Sequence, residues 1–200
     1  MNKYSDKTID YYNTNSSDFI NDTKKVEFSE LQNRFLSLLP EDALILDLGC
    51  GSGRDSRYFL DKGCRVTAVD ASLEMCRQAS VFTGLDVINA TFEAFETAER
   101  FDGIWACASL LHVERSELPF IINKYAAMLK KSGIFYLSFK YGDFEGLRGG
   151  RYFNDLTEEL FMQIISDTAN IDMLSTGITY DVRPARHKER WLNCFLKKTA

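Results

Sequence analysis

Short apolar runs alternate along this chain with segments of helical periodicity, and this alternation restricts the fold more than any other feature. The run "ALILDLG", residues 43–49, is almost continuously apolar, as in a strand that is buried on both faces. A helical segment follows and ends at Gly63, and a second strand, "CRVTAVD", precedes a helix that starts at Ser72. Because strand and helix alternate at least four times, the sequence predicts an α/β domain with a doubly wound sheet.

The other segments fit around this sheet in one domain over residues 1–200. Residues 1–40 hold two helical stretches, which we interpret as a helical N-terminal cap. Residues 41–141 form the strand–helix core, whose last helix is closed by Gly133 before a fifth strand. Residues 142–200 hold a glycine-rich loop, one helix and a final strand pair, and we expect them on the substrate side.

Composition and charge restrict the partners. The net charge is −5 and the pI about 5.2, which argues against duplex nucleic acid, a partner that usually needs a concentrated basic face. The one basic cluster, residues 182–191, also contains Glu189 and can be a solvated loop. No apolar run approaches the roughly 20 residues that span a bilayer, and the N-terminus lacks a secretory signal pattern. We therefore expect a cytoplasmic protein that has no membrane partner.

The five cysteines and two histidines are scattered, and no Cys-x-x-Cys pair occurs. Because metal ligands usually come in close pairs, we expect no metal site. Cysteines in this scattered arrangement fit a reducing compartment.

The turn after the first strand, "GCGSGRD", carries Gly49, Gly51 and Gly53. Glycine allows positive φ angles and close backbone approach, and the helix that begins near Arg54 offers unpaired N–H groups. In a doubly wound sheet, ligands bind beyond the carboxyl ends of the strands, and this first turn is their usual cradle. We therefore expect a small ligand against the glycine turn.

Two aspartates near this turn indicate which ligand it holds. Asp70 ends the second strand, where an acid can accept hydrogen bonds from a ribose diol. Asp47 directly precedes the first glycine, where a carboxylate would repel a pyrophosphate but suits an ammonium group. A ribose diol with a cationic amino-acid end describes S-adenosylmethionine better than NAD. The sequence therefore predicts S-adenosylmethionine as the cofactor.

Four stretches resemble motifs of the class I S-adenosylmethionine-dependent methyltransferases. "LDLGCGSG" and "VTAVDAS" are similar to the family's first two motifs, and "FDGIWACASLLHV" and "LKKSGIFYLSF" to those of the fourth strand and the turn before the fifth. The resemblance covers about Tyr11 to Tyr141 and implies a mostly parallel seven-stranded Rossmann-like sheet. The short chain is similar to the small-molecule type, including tellurite-resistance-like methyltransferases.

The resemblance implies where the cofactor binds. It gives Asp70 the ribose, and a tyrosine of the N-terminal "YY" pair lies over the cofactor. Many relatives have an acid near the adenine amine, where this chain has Thr91 and Phe92, although Phe92 can still stack on adenine. The candidate cofactor-binding residues are Tyr12, Asp47, Gly49, Cys50, Gly51, Gly53, Asp70, Ala71, Ser72, Met75, Thr91, Phe92 and Ala108.

His112 is the candidate catalytic residue. The resemblance places the segment just past the fourth strand opposite the transferred methyl group. Methyl transfer from a sulfonium is an in-line displacement, in which the enzyme mainly positions the nucleophile, and a base is needed only when the nucleophile loses a proton. With an ordinary pKa of about 6.5, His112 can act as that base. The alternative is a structural histidine that caps a helix or bonds to the backbone.

The acceptor pocket is expected under the cap and the glycine-rich segment after the fifth strand. Arginines in that segment can bind an anionic group, or they are solvated loop charges. We interpret Trp191 as a core or strand-pairing aromatic. The candidate substrate-binding residues are Tyr11, Tyr141, Arg151, Tyr152 and Arg183.

The leading hypothesis is a methyltransferase that acts on a small molecule. No "N-P-P-Y" motif follows the fourth strand, which disfavours the DNA and protein-glutamine enzymes that methylate amides and amines. Three alternatives stay open: a methyltransferase for tRNA or protein, a cofactor-binding module without catalysis, and an NAD-linked oxidoreductase. The sequence leaves the oligomeric state open.

Overall fold

A computed structural model describes residues 5–23, 26–183 and 186–199. The strands are β1 (Leu44–Leu48), β2 (Arg65–Asp70), β3 (Ile88–Asn89), β4 (Phe101–Ala106), β5 (Leu129–Lys140), β6 (Glu145–Arg148), β7 (Arg151–Asn154), β8 (Ile171–Tyr180) and β9 (Arg190–Lys198). The helices are α1 (Ser5–Thr23), α2 (Ser29–Leu36), α3 (Arg54–Asp61), α4 (Leu73–Thr83), α5 (Leu118–Met128) and α6 (Glu158–Ser166).

Seven strands form one sheet in the order β3-β2-β1-β4-β5-β9-β8. Strands β1 to β5 pair in parallel, and β9 pairs antiparallel with both β5 and β8. The predicted fold class, a doubly wound, mostly parallel Rossmann-like sheet with an N-terminal helix, is thus confirmed. In the described part of the chain, no helix has the length and apolar character needed to cross a membrane.

The local signals explain where the elements begin. α4 starts because the Ser72 hydroxyl accepts a hydrogen bond from the backbone N–H of Met75 at 3.2 Å. It ends at Gly84, which adopts a φ of 80°. Strand β1 is buried because Leu46 packs into one hydrophobic core and Ile45 into the other.

The helix predicted to close at Gly133 ends earlier, at Met128. Leu129 already pairs with Phe101 of β4, so the residues after it belong to β5. A Cβ atom at Gly133 would lie 2.9 Å from the Lys130 carbonyl oxygen. A tight backbone approach inside the strand, and not a helix cap, therefore requires this glycine.

The segment predicted as a glycine-rich loop is instead a two-stranded hairpin, β6–β7. Its turn consists of Gly149 and Gly150, with φ angles of 57° and 81°. Two adjacent residues at positive φ are typical of a type I′ turn, whose twist matches that of the two strands it joins. Glycine adopts these angles without strain. The hairpin carries Arg151 at a fixed position beside α1.

The two N-terminal helices differ in their packing. In α2, Phe35 is fully buried against Phe59 and Trp105 in the core. In α1, the buried residues are Thr8 and Ser16, and no large apolar side chain anchors the helix. The cap over residues 1–40 and the other domain boundaries stay predictions. Within that cap, α1 lines the cavity described next together with Val26 and Phe28.

Candidate active site

A cavity of about 230 Å³ lies at the carboxyl ends of β1, β2 and β4, and α1 forms one of its walls. All but two of the candidate cofactor-binding residues line it, and Asp47 and Gly53 do not. Those that line it are Tyr12, Gly49, Cys50, Gly51, Asp70, Ala71, Ser72, Met75, Thr91, Phe92 and Ala108.

Asp70 faces this cavity from the end of β2. Its Oδ2 accepts a hydrogen bond from the Gly51 N–H at 2.8 Å, and its Oδ1 accepts one from the Ser72 N–H at 2.8 Å. Burial raises the pKa of Asp70, while these backbone bonds act in the opposite direction. Each oxygen keeps lone-pair capacity for a further donor. The carboxylate thus fixes the glycine turn and can still accept hydrogen bonds from a diol.

The three glycines of the turn have different neighbours. A Cβ atom at Gly49 would lie 2.4 Å from the Ser109 Cβ, and one at Gly53 would lie 2.8 Å from the Thr83 Cγ2. Both glycines therefore make room for the protein's own side chains. At Gly51, which lines the cavity, the nearest atom would be the Phe19 Cε1 of α1 at 3.6 Å. Close approach of a ligand is available mainly at Gly51.

Asp47 lies behind the turn and is 2% exposed. The Ser56 hydroxyl donates to its Oδ2 at 2.6 Å. Burial, together with the negative charge of Asp55, raises the pKa of Asp47 and so favours its protonated form. An ammonium partner needs the ionised form. The predicted role of Asp47 therefore requires it to lose a proton when the cofactor binds.

His112 lies at the centre of a hydrogen-bonded chain. Its Nδ1 is 2.6 Å from the Tyr152 carbonyl oxygen, and since a carbonyl only accepts, Nδ1 carries the proton. Its Nε2 therefore accepts from the Tyr12 hydroxyl at 2.9 Å, and Arg151 donates to that hydroxyl oxygen at 3.1 Å. Burial lowers the pKa of His112 to about 4 and keeps the imidazole neutral. The bond from Nδ1 to the backbone is the one expected of a structural histidine, whereas Nε2 faces α1 at the cavity wall, and the catalytic role stays a prediction.

The candidate substrate-binding residues divide into two groups. Arg151 and Arg183 line the cavity, and Arg183 is paired with Asp181. The other three do not line it because their side chains are engaged elsewhere. Tyr11 packs on Arg151, the Tyr141 hydroxyl donates to Glu158, and the Tyr152 hydroxyl donates to Glu145.

Three residues at the cavity have conformations or contacts that sequence reasoning did not predict. Ser109 donates from Oγ to the Leu48 carbonyl oxygen at 2.6 Å, which ties the end of β4 to β1. Ala108 adopts a φ of 52°, a left-handed conformation that is unusual outside glycine and often marks functional sites. Trp191, interpreted as a core or strand-pairing aromatic, packs against the main core and pairs with Lys140 of β5, and it also lines the cavity and donates from Nε1 to Asp181 at 3.1 Å. Only the "ACAS" sequence after β4 hinted at the first two.

Comparisons with known proteins agree with this geometry. Residues 45–133 match the family described as "Methyltransferase domain", which supports the predicted resemblance. A malonyl-[acyl-carrier protein] O-methyltransferase of Enterobacter lignolyticus is 39% identical over 116 residues, which are 54% of this chain and 45% of that protein. A ubiquinone biosynthesis O-methyltransferase of Rhodopseudomonas palustris is 30% identical over 95 residues, 45% of this chain and 37% of that protein. The matches thus span less than half the length of either relative.

The fold is also similar to that of a solved structure over nearly the whole chain. The 1,6-didemethyltoxoflavin-N1-methyltransferase of Burkholderia thailandensis aligns with a TM-score of 0.76 and 22% identity, over 98% of this chain and 89% of that one. At this identity the likeness describes the architecture, including the strands after residue 133.

Proposed function

We propose that this chain is a class I methyltransferase that methylates a small-molecule acceptor with S-adenosylmethionine as cofactor, and the match of residues 45–133 to a methyltransferase domain supports this proposal. One observation carries the proposal. The Asp70 carboxylate faces the cavity beside Gly51, and both its oxygens are oriented by backbone N–H groups. A carboxylate held in this way suits a ribose diol.

The residues of the cavity fit this cofactor. Asp70 would hold the ribose, while Phe92, Thr91 and Met75 offer apolar and polar contacts to the adenine. Tyr12 of α1 covers the cavity next to them. When bound, the cofactor supplies an electrophilic methyl group on a sulfonium.

The chain's own contribution is to place the acceptor and to receive its proton. His112 is neutral, with its lone pair at Nε2, so it can accept a proton, although a pKa of about 4 makes it a weaker base than an ordinary histidine. The Tyr12 hydroxyl donates to that lone pair. An acceptor hydroxyl or amine that takes the place of Tyr12 would donate to Nε2 instead.

Two features favour a small acceptor. α1 and β7 form two walls of the cavity, and its volume of about 230 Å³ suits a small acceptor better than a macromolecule. The relatives named above are O-methyltransferases of a carrier-linked malonyl group and of ubiquinone biosynthesis. Because the first relative acts on a malonyl group linked to a carrier protein, the second candidate acceptor is a group carried on a protein.

We also propose a subtype and a cellular location for this chain. The tellurite-resistance-like type rests on the short layout of a core and a cap. A cytoplasmic location fits the five cysteines, which are all free thiols.

The test is titration of the folded chain with S-adenosylhomocysteine in a calorimeter, followed by transfer of labelled methyl groups to a small-molecule extract. We expect Asp70→Asn to weaken cofactor binding at least about tenfold, since a ribose bond to a charged acceptor is lost and an amide group faces the N–H of Gly51 or Ser72. Asp172→Asn, at an exposed position of β8, is the matched control.

Unchanged affinity in Asp70→Asn would remove Asp70 from the site. Binding of NAD in preference to S-adenosylhomocysteine would overturn the proposed function. The same transfer is repeated with an extract that retains its proteins, and label that precipitates with protein there would favour the carrier-linked acceptor.

A further inference from the structure

One cation at the cavity, Arg151 on β7, has no counter-charge. Three other cations that line the cavity are paired with carboxylates: Arg54 with Asp55, Lys140 with Glu189, and Arg183 with Asp181. Across the described ranges, Arg151 forms no ion pair. Arg186 also lines the cavity, but it borders the undescribed residues 184–185, so the argument rests on Arg151.

The donors of Arg151 are incompletely used. Its Cζ lies 4.5 Å from the ring centre of Tyr11, 5.5 Å from that of Tyr12 and 5.0 Å from that of Phe153. Its Nη1 donates to the Tyr12 hydroxyl at 3.1 Å. Its Nε is buried and has no acceptor, and no other buried side-chain nitrogen or oxygen of the described residues is in this condition. The free N–H group can donate to any acceptor, and because the guanidinium stays positively charged, an anionic acceptor is favoured.

We propose that Arg151 binds a carboxylate group of the methyl acceptor, an inference that rests on the proposed function. A carboxylate can bridge Nε and a terminal nitrogen through two parallel hydrogen bonds, which a planar guanidinium favours. The aromatic rings cover its faces and leave the donors in its plane for a ligand. One uncompensated cation matches the single charge of a carboxylate better than the roughly −1.5 to −2 of a phosphate monoester.

The position of Arg151, beside the candidate base and away from the glycine turn, favours the acceptor as the source of this carboxylate, although the Tyr12 that it contacts is also a candidate cofactor-binding residue. Its neighbours are Tyr11, Tyr12 and Phe153, and none of them belongs to the glycine turn. The Tyr12 hydroxyl links Arg151 to His112, so a molecule anchored at Arg151 lies next to the candidate base. Because Tyr11 packs on the guanidinium, the anion reaches Nε only when α1 shifts.

The first experiment needs no variant. A small-molecule extract is treated with carbodiimide and methylamine, which convert carboxylates to amides, or with phosphatase, and each portion is offered to the chain with labelled S-adenosylmethionine. We expect labelling to fall at least about tenfold after amidation and to survive phosphatase. Labelling that survives amidation, or that phosphatase removes, would overturn the carboxylate assignment while leaving the proposed function intact.

The second experiment assigns the carboxylate to Arg151. In Arg151→Gln we expect the KM of the labelled acceptor to rise at least about tenfold, with the S-adenosylhomocysteine affinity within about twofold of the parent chain. Arg151→Lys keeps the charge but loses the planar guanidinium, so its KM should lie between those of the parent chain and Arg151→Gln. Lys131→Gln, an exposed residue of β5, controls for the loss of one charge.

Three results would count against the inference. An unchanged KM in Arg151→Gln would show that Arg151 does not hold the acceptor. A tenfold loss of S-adenosylhomocysteine affinity would assign Arg151 to the cofactor. A parent chain that binds no S-adenosylhomocysteine would instead remove the proposed function, and this inference with it.

Discussion

At the scale of single residues, His112 shows how one side chain serves both structure and chemistry. Its Nδ1–H bond to the Tyr152 carbonyl fixes the tautomer and joins the segment after β4 to the hairpin. The same bond makes Nε2 the acceptor, which the Tyr12 hydroxyl fills. The imidazole can therefore stay buried without an unsatisfied nitrogen.

The burial of His112 predicts a specific pH dependence of stability. The unfolded chain binds a proton at His112 near pH 6.5, whereas the folded chain, with its pKa at about 4, does not. The contribution of His112 to the free energy of unfolding is therefore complete above pH 6.5 and is lost as the pH falls towards 4. We expect the urea midpoint to fall more between pH 7 and pH 5 in the parent chain than in His112→Gln. Equal falls in both chains would contradict the lowered pKa.

At the scale of elements, the contact between the glycine turn and α4 is tested at Gly53. Alanine there would need a left-handed backbone at a φ of 76°, and its Cβ would lie 2.8 Å from the Thr83 Cγ2. We expect Gly53→Ala to lower the free energy of unfolding by about 2–4 kcal/mol, from backbone strain together with overpacking.

Gly84 provides the matched control for this substitution. It has a φ of 80° but no atom within 4 Å of its ideal Cβ position. Gly84→Ala should therefore cost only the conformational term, about 1 kcal/mol. Urea unfolding of both variants measures the difference, and equal losses would show that α4 does not crowd the turn.

These glycines also show how much the sequence could predict. Hydrophobic runs and caps predicted the strand–helix order because those signals are local, as in the serine that begins α4. The roles of Gly53 and Gly133 depend on Thr83 and on a backbone carbonyl that come close only in the fold. The hairpin had a local signal, the Gly-Gly pair of its turn, which we interpreted as a mobile loop.

The candidate site shows the same division. Motif spacing brought most of the candidate cofactor-binding residues to the cavity, because they follow successive strands of one sheet. Spacing could not indicate that the protonated form of Asp47 is favoured, since its pKa depends on burial. Nor could it predict that Arg151 meets Tyr12, because these residues are far apart in the chain and only the fold joins them.

At the scale of the whole molecule, α1 forms a wall of the cavity, and this helix is weakly attached to the rest of the domain. α1 is held by polar contacts. The Thr8 hydroxyl accepts a hydrogen bond from the Tyr152 N–H at 3.0 Å, and the side-chain Oδ1 of Asn13 accepts one from the Ser72 hydroxyl at 2.7 Å. Such contacts contribute little net stability when water can replace them. α6, by contrast, buries Phe161, Ile164 and Ile165.

We therefore expect α1 to open as a unit and the cofactor to close it, and hydrogen exchange of the full chain measures both. Without ligand, the amides of α1 should exchange much faster than those of β4, because local opening of a helix without buried apolar anchors costs little free energy. S-adenosylhomocysteine should slow exchange in α1, since Tyr12 and Phe19 gain a partner in the cavity. α6 is the internal control and should not respond. If the amides of α1 are as protected as those of β4 before ligand is added, α1 is a fixed wall and the expected opening does not occur.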